Sequence, residues 1–193
     1  IDALFVTHEH SDHVGCAVTL SLRHQRPLWM SRGTYEAIGQ PPLGDLLKVA
    51  RSQQPIEIGA MRLDPVAVPH DAAEPLQLRC TDGDRRLGIL TDIGHPTAGV
   101  TEHFAGCHAL LLETNHDEDL LAASSYPAFL KRRIAGPRGH LSNAQSAQIA
   151  GIVDHPGLNT VVAAHLSERN NRPDLARRAL GEALGRAPGD IQA

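Results

Sequence analysis

Strand-like and helix-like segments alternate along this chain of 193 residues. Short apolar or alternating stretches predict strands, because successive side chains of a strand point to opposite faces. The sequence Asp82-Gly83 predicts a hairpin turn between two of these strands. The predicted strands are Ile1–Val6, Pro27–Met30, Ile56–Val68, Leu76–Cys80, Arg86–Leu90, His108–Leu112 and Asn159–Ala164.

Helical stretches separate most of these strands. The clearest is Ser142–Val153, since Ser142 followed by Gln145 is the sequence pattern of a capping box. Alternating strands and helices predict an α/β fold built in layers. The other predicted helices are Val14–Arg23, Arg32–Ile38, Asp45–Arg51, Asp119–Ile134 with an interruption at Pro127, and Arg172–Leu184.

The segment 8–13, with the sequence HEHSDH, follows directly after the first predicted strand. If that strand continues to residue 10, His8 and His10 lie on one face and can bind one ion. Asp12 and His13 then lie in the following turn, where they can face a second ion. Imidazole and carboxylate together suit zinc, manganese or iron. The alternative is a polar strand end in which Ser11 and Asp12 cap a helix.

The composition of the chain limits the classes of function that it can have. A chain of this length with 41% apolar residues can bury one core, so we expect one domain over residues 1–193. Cys16, Cys80 and Cys107 lack CxxC spacing, which argues against a disulfide framework and favours the cytoplasm. A net charge of −4 and 3% aromatic residues argue against a broadly basic or base-stacking surface. No apolar stretch approaches membrane-spanning length.

Five further polar residues stand where a predicted strand gives way to a loop. Such positions are where α/β folds usually gather functional groups. The pattern predicts one site built from several strand ends. The residues are His70, Asp92, Glu113, Asn115 and His165.

Together, these residues resemble the metallo-β-lactamase superfamily, whose signature is HxHxDH followed by a later His, an Asp and a final His. The resemblance implies a four-layer αβ/βα sandwich with two divalent metal ions at one edge. It assigns His8, His10 and His70 to the first ion, Asp12, His13 and His165 to the second, and Asp92 as the bridge between them.

The segments 139–142 (GHLS) and 165–173 (HLSERNNRP) narrow the resemblance. They are similar to the YycJ/VicX-type hydrolases and to the tail of tRNase Z, which implies cleavage of phosphodiester bonds, including exonuclease activity on DNA. By this resemblance His140 is a candidate general acid and Glu113 a candidate to orient it, with Asp12 completing the catalytic set. His140 has a plain alternative role, as a cap of the following helix.

Basic and amide side chains near this tail are candidates to bind the substrate, a nucleic acid or a small phosphodiester. The run Lys131-Arg132-Arg133 is the densest basic stretch, although a solvated helix face explains it about as well. Arg169 and Asn170 are further candidates, with capping of the last helix as their alternative role. Asn115 completes this group of predicted substrate-binding residues.

We therefore expect a two-metal hydrolase, most simply a phosphodiesterase or nuclease in which metal-bridging hydroxide attacks phosphorus and His140 protonates the leaving oxygen. One alternative is a thioester or lactam hydrolase on the same fold. Another is a metal-stabilised regulatory module without turnover. Members of the resembled family carry a further stretch before the HxHxDH segment, so we expect the first sheet to be incomplete at its N-terminal side.

Overall fold

The computed structural model describes residues 1–193 and contains nine strands and eight α-helices. The strands are β1 (Leu4–Phe5), β2 (Leu28–Met30), β3 (Leu47–Val49), β4 (Ile56–Ile58), β5 (Met61–Ala67), β6 (Leu76–Thr81), β7 (Arg86–Leu90), β8 (Ala109–Glu113) and β9 (Thr160–Ala164). The helices are α1 (Ser11–Val14), α2 (Ala17–His24), α3 (Arg32–Ala37), α4 (Ala98–Phe104), α5 (Glu118–Ala123), α6 (Ala128–Ile134), α7 (Asn143–Val153) and α8 (Pro173–Leu184).

The strands form two sheets. β1, β2 and β3 pair in parallel in a three-stranded sheet, and β4 to β9 follow one another in a six-stranded sheet. In the second sheet β4 to β7 are antiparallel, whereas β7, β8 and β9 are parallel. Parallel neighbours need crossover connections, which α4 and then α5 to α7 supply. The carboxyl ends of β7, β8 and β9 therefore lie along one edge.

The two faces of the short first sheet pack against different layers, because successive side chains of a strand point to opposite faces. Leu28 and Met30 of β2 are fully buried in a cluster with Ala17 of α2. Trp29, between them, faces the other way and packs against a cluster that contains Ile56 of β4. The two sheets therefore pack face to face, with helices outside the first.

The largest core cluster covers the outer face of the second sheet. It contains Leu110 and Leu112 of β8 together with Phe104 of α4, Ile149 of α7 and Leu180 of α8, all at most 1% exposed. The order of layers is thus helix, sheet, sheet, helix, which confirms the expected αβ/βα sandwich. None of the helices combines the length and the apolarity needed to cross a membrane.

Several predicted elements differ from the structure. The helix predicted over Asp45–Arg51 is wrong, because Leu47–Val49 instead pairs with β2 after a 3₁₀ turn. Pairing gives these three residues a strand ladder that outweighs local helical preference. The single strand predicted over Ile56–Val68 is a hairpin, and it turns at Gly59, whose φ of 59° lies in the left-handed region.

Other predictions differ in their extent. The helix predicted over Val14–Arg23 is interrupted, since Gly15 ends α1 with a φ of 42° before α2 begins at Ala17. The helix α4 was not predicted from the sequence. The capping box at Ser142 and Gln145 is confirmed. All three cysteines are free thiols; Cys80 and Cys107 are buried and Cys16 is exposed.

Truncation of Phe104 tests the main core. This side chain is 0% exposed, so Phe104→Ala should lower the free energy of unfolding by about 3–5 kcal/mol in a urea titration. Phe129→Ala is a matched control, because Phe129 is 66% exposed and its loss should change stability by no more than about 0.5 kcal/mol. Equal losses in the two variants would contradict this description of the core.

Candidate metal centre

The predicted ligands converge at the edge where the strands of both sheets end. His8 and His10 follow β1, His70 follows β5, Asp92 follows β7 and His165 follows β9. A cavity of about 340 Å³ opens over this edge. Its wall includes His10, Asp12, Asp92, His140 and His165. The fold thus brings together residues more than 150 positions apart in the sequence.

The first cluster consists of three imidazoles. One ring nitrogen from each of His8, His10 and His70 lies within 4.8 Å of the others. The Nε2 atoms of His8 and His70 are buried and have no hydrogen-bond partner. Burial, reinforced by the neighbouring histidines, lowers the pKa of His8 to about 3, so this ring is neutral near pH 7. Neutral imidazole is the form that binds metals.

The second cluster combines a carboxylate with two imidazoles. Ligand atoms of Asp12, His13 and His165 lie within 4.8 Å of one another. His165 Nε2 lies 3.6 Å from Asp12 Oδ2, and His13 Nε2 lies 3.6 Å from the same oxygen. Asp12 is exposed at the cavity, whereas both imidazoles are partly buried.

Asp92 lies between the two clusters. Its Oδ2 is 3.0 Å from His13 Nε2 in the second cluster, and its Oδ1 is 3.6 Å from His70 Nε2 in the first. Burial alone would raise the pKa of this carboxyl, but the hydrogen bond from His13 and the charge of His165 hold it well below the usual range. The side chain is therefore an ionised carboxylate whose Oδ2 lies beside His13, while its Oδ1 lies 3.6 Å from both His70 Nε2 and His165 Nδ1.

Two of these residues have unusual backbone conformations. Asp92 has a φ of 51° and His165 a φ of 55°, both in the left-handed region that residues other than glycine rarely adopt. Such strain persists where surrounding structure overdetermines it, and it concentrates at functional sites. At both positions the strand ends and the chain turns, which aims the side chain into the cavity.

Glu113, at the end of β8, fixes the orientation of two histidines. It is 0% exposed, and its Oε1 accepts hydrogen bonds from His140 Nδ1 at 2.7 Å and from His165 Nδ1 at 2.9 Å. Its Oε2 accepts from the backbone amides of Ile93 at 3.0 Å and Leu141 at 3.2 Å. Four donors thus satisfy this buried carboxylate, as burial of a charge requires.

These contacts shift two pKa values in opposite directions. Burial alone would raise the pKa of Glu113, but the hydrogen bonds from His140 and His165 outweigh it and lower the pKa. Burial alone would lower the pKa of His165, but its hydrogen bond to Glu113 and the charge of Asp92 raise it to about 9. In the metal-free protein the His165 ring therefore carries a proton at neutral pH.

The hydrogen bonds of the Nδ1 atoms orient the rings of the candidate clusters in a way that fits metal binding. Nδ1 of His8 and Nδ1 of His13 both meet Thr7 Oγ1, at 3.1 and 3.0 Å. His70 Nδ1 donates to the carbonyl of Gly139 at 3.1 Å. Such partners hold a ring so that its Nε2 is left for the metal. Glu113 holds the His165 ring in the same way, since it accepts a hydrogen bond from His165 Nδ1.

A different grouping, of Glu113 with Asp92, His140 and His165, also brings ligand atoms within 4.8 Å. Both Glu113 oxygens already accept two hydrogen bonds each. Glu113 therefore serves to hold the rings of His140 and His165, and the fit of an ion is better in the two clusters joined by Asp92.

The predicted substrate-binding residues divide into two groups. Arg133 and Asn115 line the cavity of the metal clusters. Arg133 Nε donates to Asp71, another residue of the cavity wall, whereas the Asn115 side chain donates to the carbonyl of His165 at 2.9 Å. The structure therefore leaves Arg133 at the cavity and uses the Asn115 amide to hold the turn at His165.

The other candidates lie outside the cavity wall. Lys131 and Arg132 line a separate groove, and Lys131 Nζ donates to the carbonyl of Ala122 at 2.6 Å. Asn170 is 1% exposed and its amide donates to Ser167 Oγ. The guanidinium of Arg169 is exposed, and its carbon Cζ lies 6.0 Å from the centroid of the Tyr126 ring.

Sequence reasoning missed residues that support or line the site. Thr7 is not among the predicted residues, although it directly precedes His8 and contacts two candidate ligands. Gly139 was read only as part of the GHLS segment; a Cβ there would overlap the carbonyl of Ile134. Asp71 and Tyr126 line the cavity. The one available signal was adjacency to a ligand, which holds for Thr7, Asp71 and Gly139 but not for Tyr126.

Comparison with known proteins agrees with this geometry. Residues 1–166 match the family model described as "Beta-lactamase superfamily domain". The chain belongs to the beta-lactamase superfamily. This superfamily member is similar to the exodeoxyribonuclease YycJ of Bacillus anthracis, with 31% identity over 189 residues that cover 95% of this chain and 71% of the relative. It is also similar to the exodeoxyribonuclease WalJ of Streptococcus pneumoniae serotype 2, with 32% identity over 199 residues, 97% of this chain and 71% of the relative.

A solved structure with the same fold is that of the metallo-beta-lactamase fold protein YhfI from Bacillus subtilis. It superimposes with a TM-score of 0.75 at 16% identity, over 100% of this chain and 74% of the other. At that identity the likeness concerns the fold alone. It confirms the metallo-β-lactamase fold that the sequence resemblance implied for this superfamily member.

The raised pKa of His165 predicts how the stability of the metal-free protein depends on pH. A histidine whose pKa rises from 6.5 to about 9 on folding stabilises the fold fully below pH 6.5, and this contribution disappears as the pH rises to 9. In chelator, the free energy of unfolding should therefore fall between pH 6.5 and 9. The measurement is a series of urea titrations across that range.

His165→Gln is the matched variant, because glutamine keeps a hydrogen-bond donor and does not titrate. Its free energy of unfolding should fall less steeply over the same pH interval. A fall of equal slope in the variant, or a rise in the wild type, would contradict the charged state assigned to His165.

Proposed function

We propose that this superfamily member is a two-metal phosphodiesterase that cleaves nucleic acid, acting as an exonuclease. The observation that carries the proposal is the pair formed by His140 and Glu113 at 2.7 Å, beside the two ligand clusters and in the wall of the same cavity. The names of YycJ and WalJ, both exodeoxyribonucleases, support the choice of DNA as the substrate.

The two clusters would hold two divalent ions, zinc, manganese or iron, with His8, His10 and His70 on one side, Asp12, His13 and His165 on the other, and Asp92 between them. When bound, such ions neutralise phosphate charge and lower the pKa of water toward neutrality. Imidazole and carboxylate donors suit all three metals, so the donor set leaves the choice among them open.

His140 is the residue that we assign to the leaving group. Its Nδ1 is engaged by Glu113, so the ring is fixed and Nε2 is the atom available to the cavity. A proton on Nε2 can pass to the departing oxygen of the phosphodiester while Glu113 stabilises the charged ring. The leaving alkoxide of DNA is a poor leaving group, so this proton transfer is worth most on the natural substrate.

Arg133 is the residue that we assign to the phosphate backbone at the mouth of the cavity. Its contact with Asp71 holds the guanidinium over the wall that also contains His10. A guanidinium there can bind a phosphate through two parallel hydrogen bonds. Free thiols and a nucleic-acid substrate lead us to propose the cytoplasm as the location of the enzyme.

Replacement of His140 separates proton transfer from the other parts of the mechanism. His140→Ala should lower kcat on single-stranded DNA by about 10²- to 10⁴-fold, the usual size of general acid catalysis. The same variant should lose less than about tenfold on bis-p-nitrophenyl phosphate, since p-nitrophenolate leaves without protonation. His24→Ala, at an exposed histidine of α2, is the control and should match the wild type. Equal losses on both substrates would contradict the assignment.

Replacement of Asp92 tests the two-metal site itself. Asp92→Ala removes the carboxylate between the clusters, so hydrolysis of both substrates should disappear and the metal content of the folded variant should fall below that of the wild type. The wild type, loaded and folded, should hold two ions per chain by elemental analysis. Fewer than two ions, or turnover of thioesters or lactams without phosphodiester cleavage, would overturn the proposal.

A further inference from the structure

The chain has six Phe, Tyr and Trp side chains, and four of them contribute to the buried clusters. Phe104 lies in the main core, and Phe5, Trp29 and Tyr35 pack against the two smaller clusters. The remaining two rings, Tyr126 and Phe129, lie outside all three buried clusters. Both belong to the segment that forms one wall of the metal cavity. Neither ring is part of the packing of the buried core.

Tyr126 is a half-buried residue in the wall of that cavity. It shares the wall with His140 and His165, the two residues held by Glu113. The guanidinium carbon of Arg169 lies 6.0 Å from the centre of the Tyr126 ring, within the range of a cation–π interaction. Arg169 thus adds positive charge beside the ring, at a place where a polyanion would approach.

Phe129 is an exposed ring in helix α6, the helix that gives Arg133 to the cavity wall. It is 66% exposed and stands four residues before Arg133 in helix α6, so the two side chains are one turn apart on the same face. Lys131 and Arg132 point instead into the separate groove. A single exposed aromatic ring is ordinary on a protein surface. Phe129 therefore carries no part of the proposal, which rests on Tyr126 and Arg169.

We propose that Tyr126, supported by Arg169, is a stacking platform for the nucleobase next to the phosphodiester that is cleaved. The inference rests on the proposed function and adds to it a reason for preferring an unpaired strand end to a small phosphodiester. The low aromatic content of the chain argues against an extended stacking surface, but one ring is enough for one base. Stacking of this kind is tolerant of sequence, because every base has a π-face.

The platform implies a preference for strands whose terminal nucleotides carry bases over strands whose terminal nucleotides lack them. The probe is a pair of single-stranded oligonucleotides, one with adenine at the terminal positions and one with a tetrahydrofuran abasic analogue there. The wild-type kcat/KM should be about five- to hundredfold higher for the adenine-ended strand, the usual effect of one base–aromatic stack. Tyr126→Ala should abolish this ratio, while Tyr126→Phe should keep it because the ring remains.

Arg169 acts through Tyr126 and is therefore a positioning residue. Arg169→Ala should lower the same ratio by about two- to fivefold, the usual size of an exposed cation–π contact. Arg32→Ala is a matched control, since the Arg32 Cζ also lies 6.0 Å from the centroid of a tyrosine ring, that of Tyr35 in α3. The control should leave the ratio unchanged. A general effect of lost charge would lower kcat/KM on both strands alike.

A binding measurement without turnover separates this inference from the proposed function. In chelator, a strand with terminal 2-aminopurine should lose fluorescence on binding the wild type and Tyr126→Phe, but not on binding Tyr126→Ala. Quenching without any DNA cleavage in the metal-loaded enzyme would refute the proposed function and leave the platform standing. Cleavage at equal rates on adenine-ended and abasic strands, or quenching that persists in Tyr126→Ala, would overturn the platform.

Discussion

The buried carboxylate of Glu113 is the interaction on which the arrangement of the site depends. A charge that is 0% exposed carries a large desolvation cost unless it is fully hydrogen-bonded. Here the four donors come from His140, His165, Ile93 and Leu141. They belong to the loop after β7, the turn after β9 and the loop before α7. The carboxylate therefore ties together three chain segments that are far apart in the sequence.

The two ligand clusters differ in their electrostatics although both contain imidazoles. Burial keeps His8 neutral, with a pKa of about 3, whereas Glu113 and Asp92 keep His165 protonated, with a pKa of about 9. A cation that binds to the first cluster therefore meets a neutral His8 ring, and one that binds to the second must displace a proton from His165. Glu113 thus couples the second cluster to pH through the same oxygen that holds His140.

The sequence indicates the candidate ligands most clearly where they are contiguous. His8, His10, Asp12 and His13 can be recognised from strand alternation and donor chemistry, whereas Asp92 depended on resemblance to a family for its position. Neither route reveals the left-handed backbone of Asp92, since that conformation comes from long-range packing. The first and second sheets were predictable as an αβ/βα sandwich, but the short β3 was not, because only its pairing with β2 makes it a strand.

The basic run Lys131-Arg132-Arg133 shows a different limit of prediction from sequence. Consecutive residues of a helix point about 100° apart, so Lys131, Arg132 and Arg133 cannot all face one cavity. The structure turns Arg133 toward the site and the other two toward a separate groove.

The proposal that Asp92 joins two metal sites beside an unligated His140 is tested most directly by anomalous diffraction from metal-loaded crystals. Two peaks per chain are expected, one at the Nε2 atoms of His8 and His70 and one at Asp12 and His165. A single peak, or a peak bound to Glu113 and His140, would contradict it.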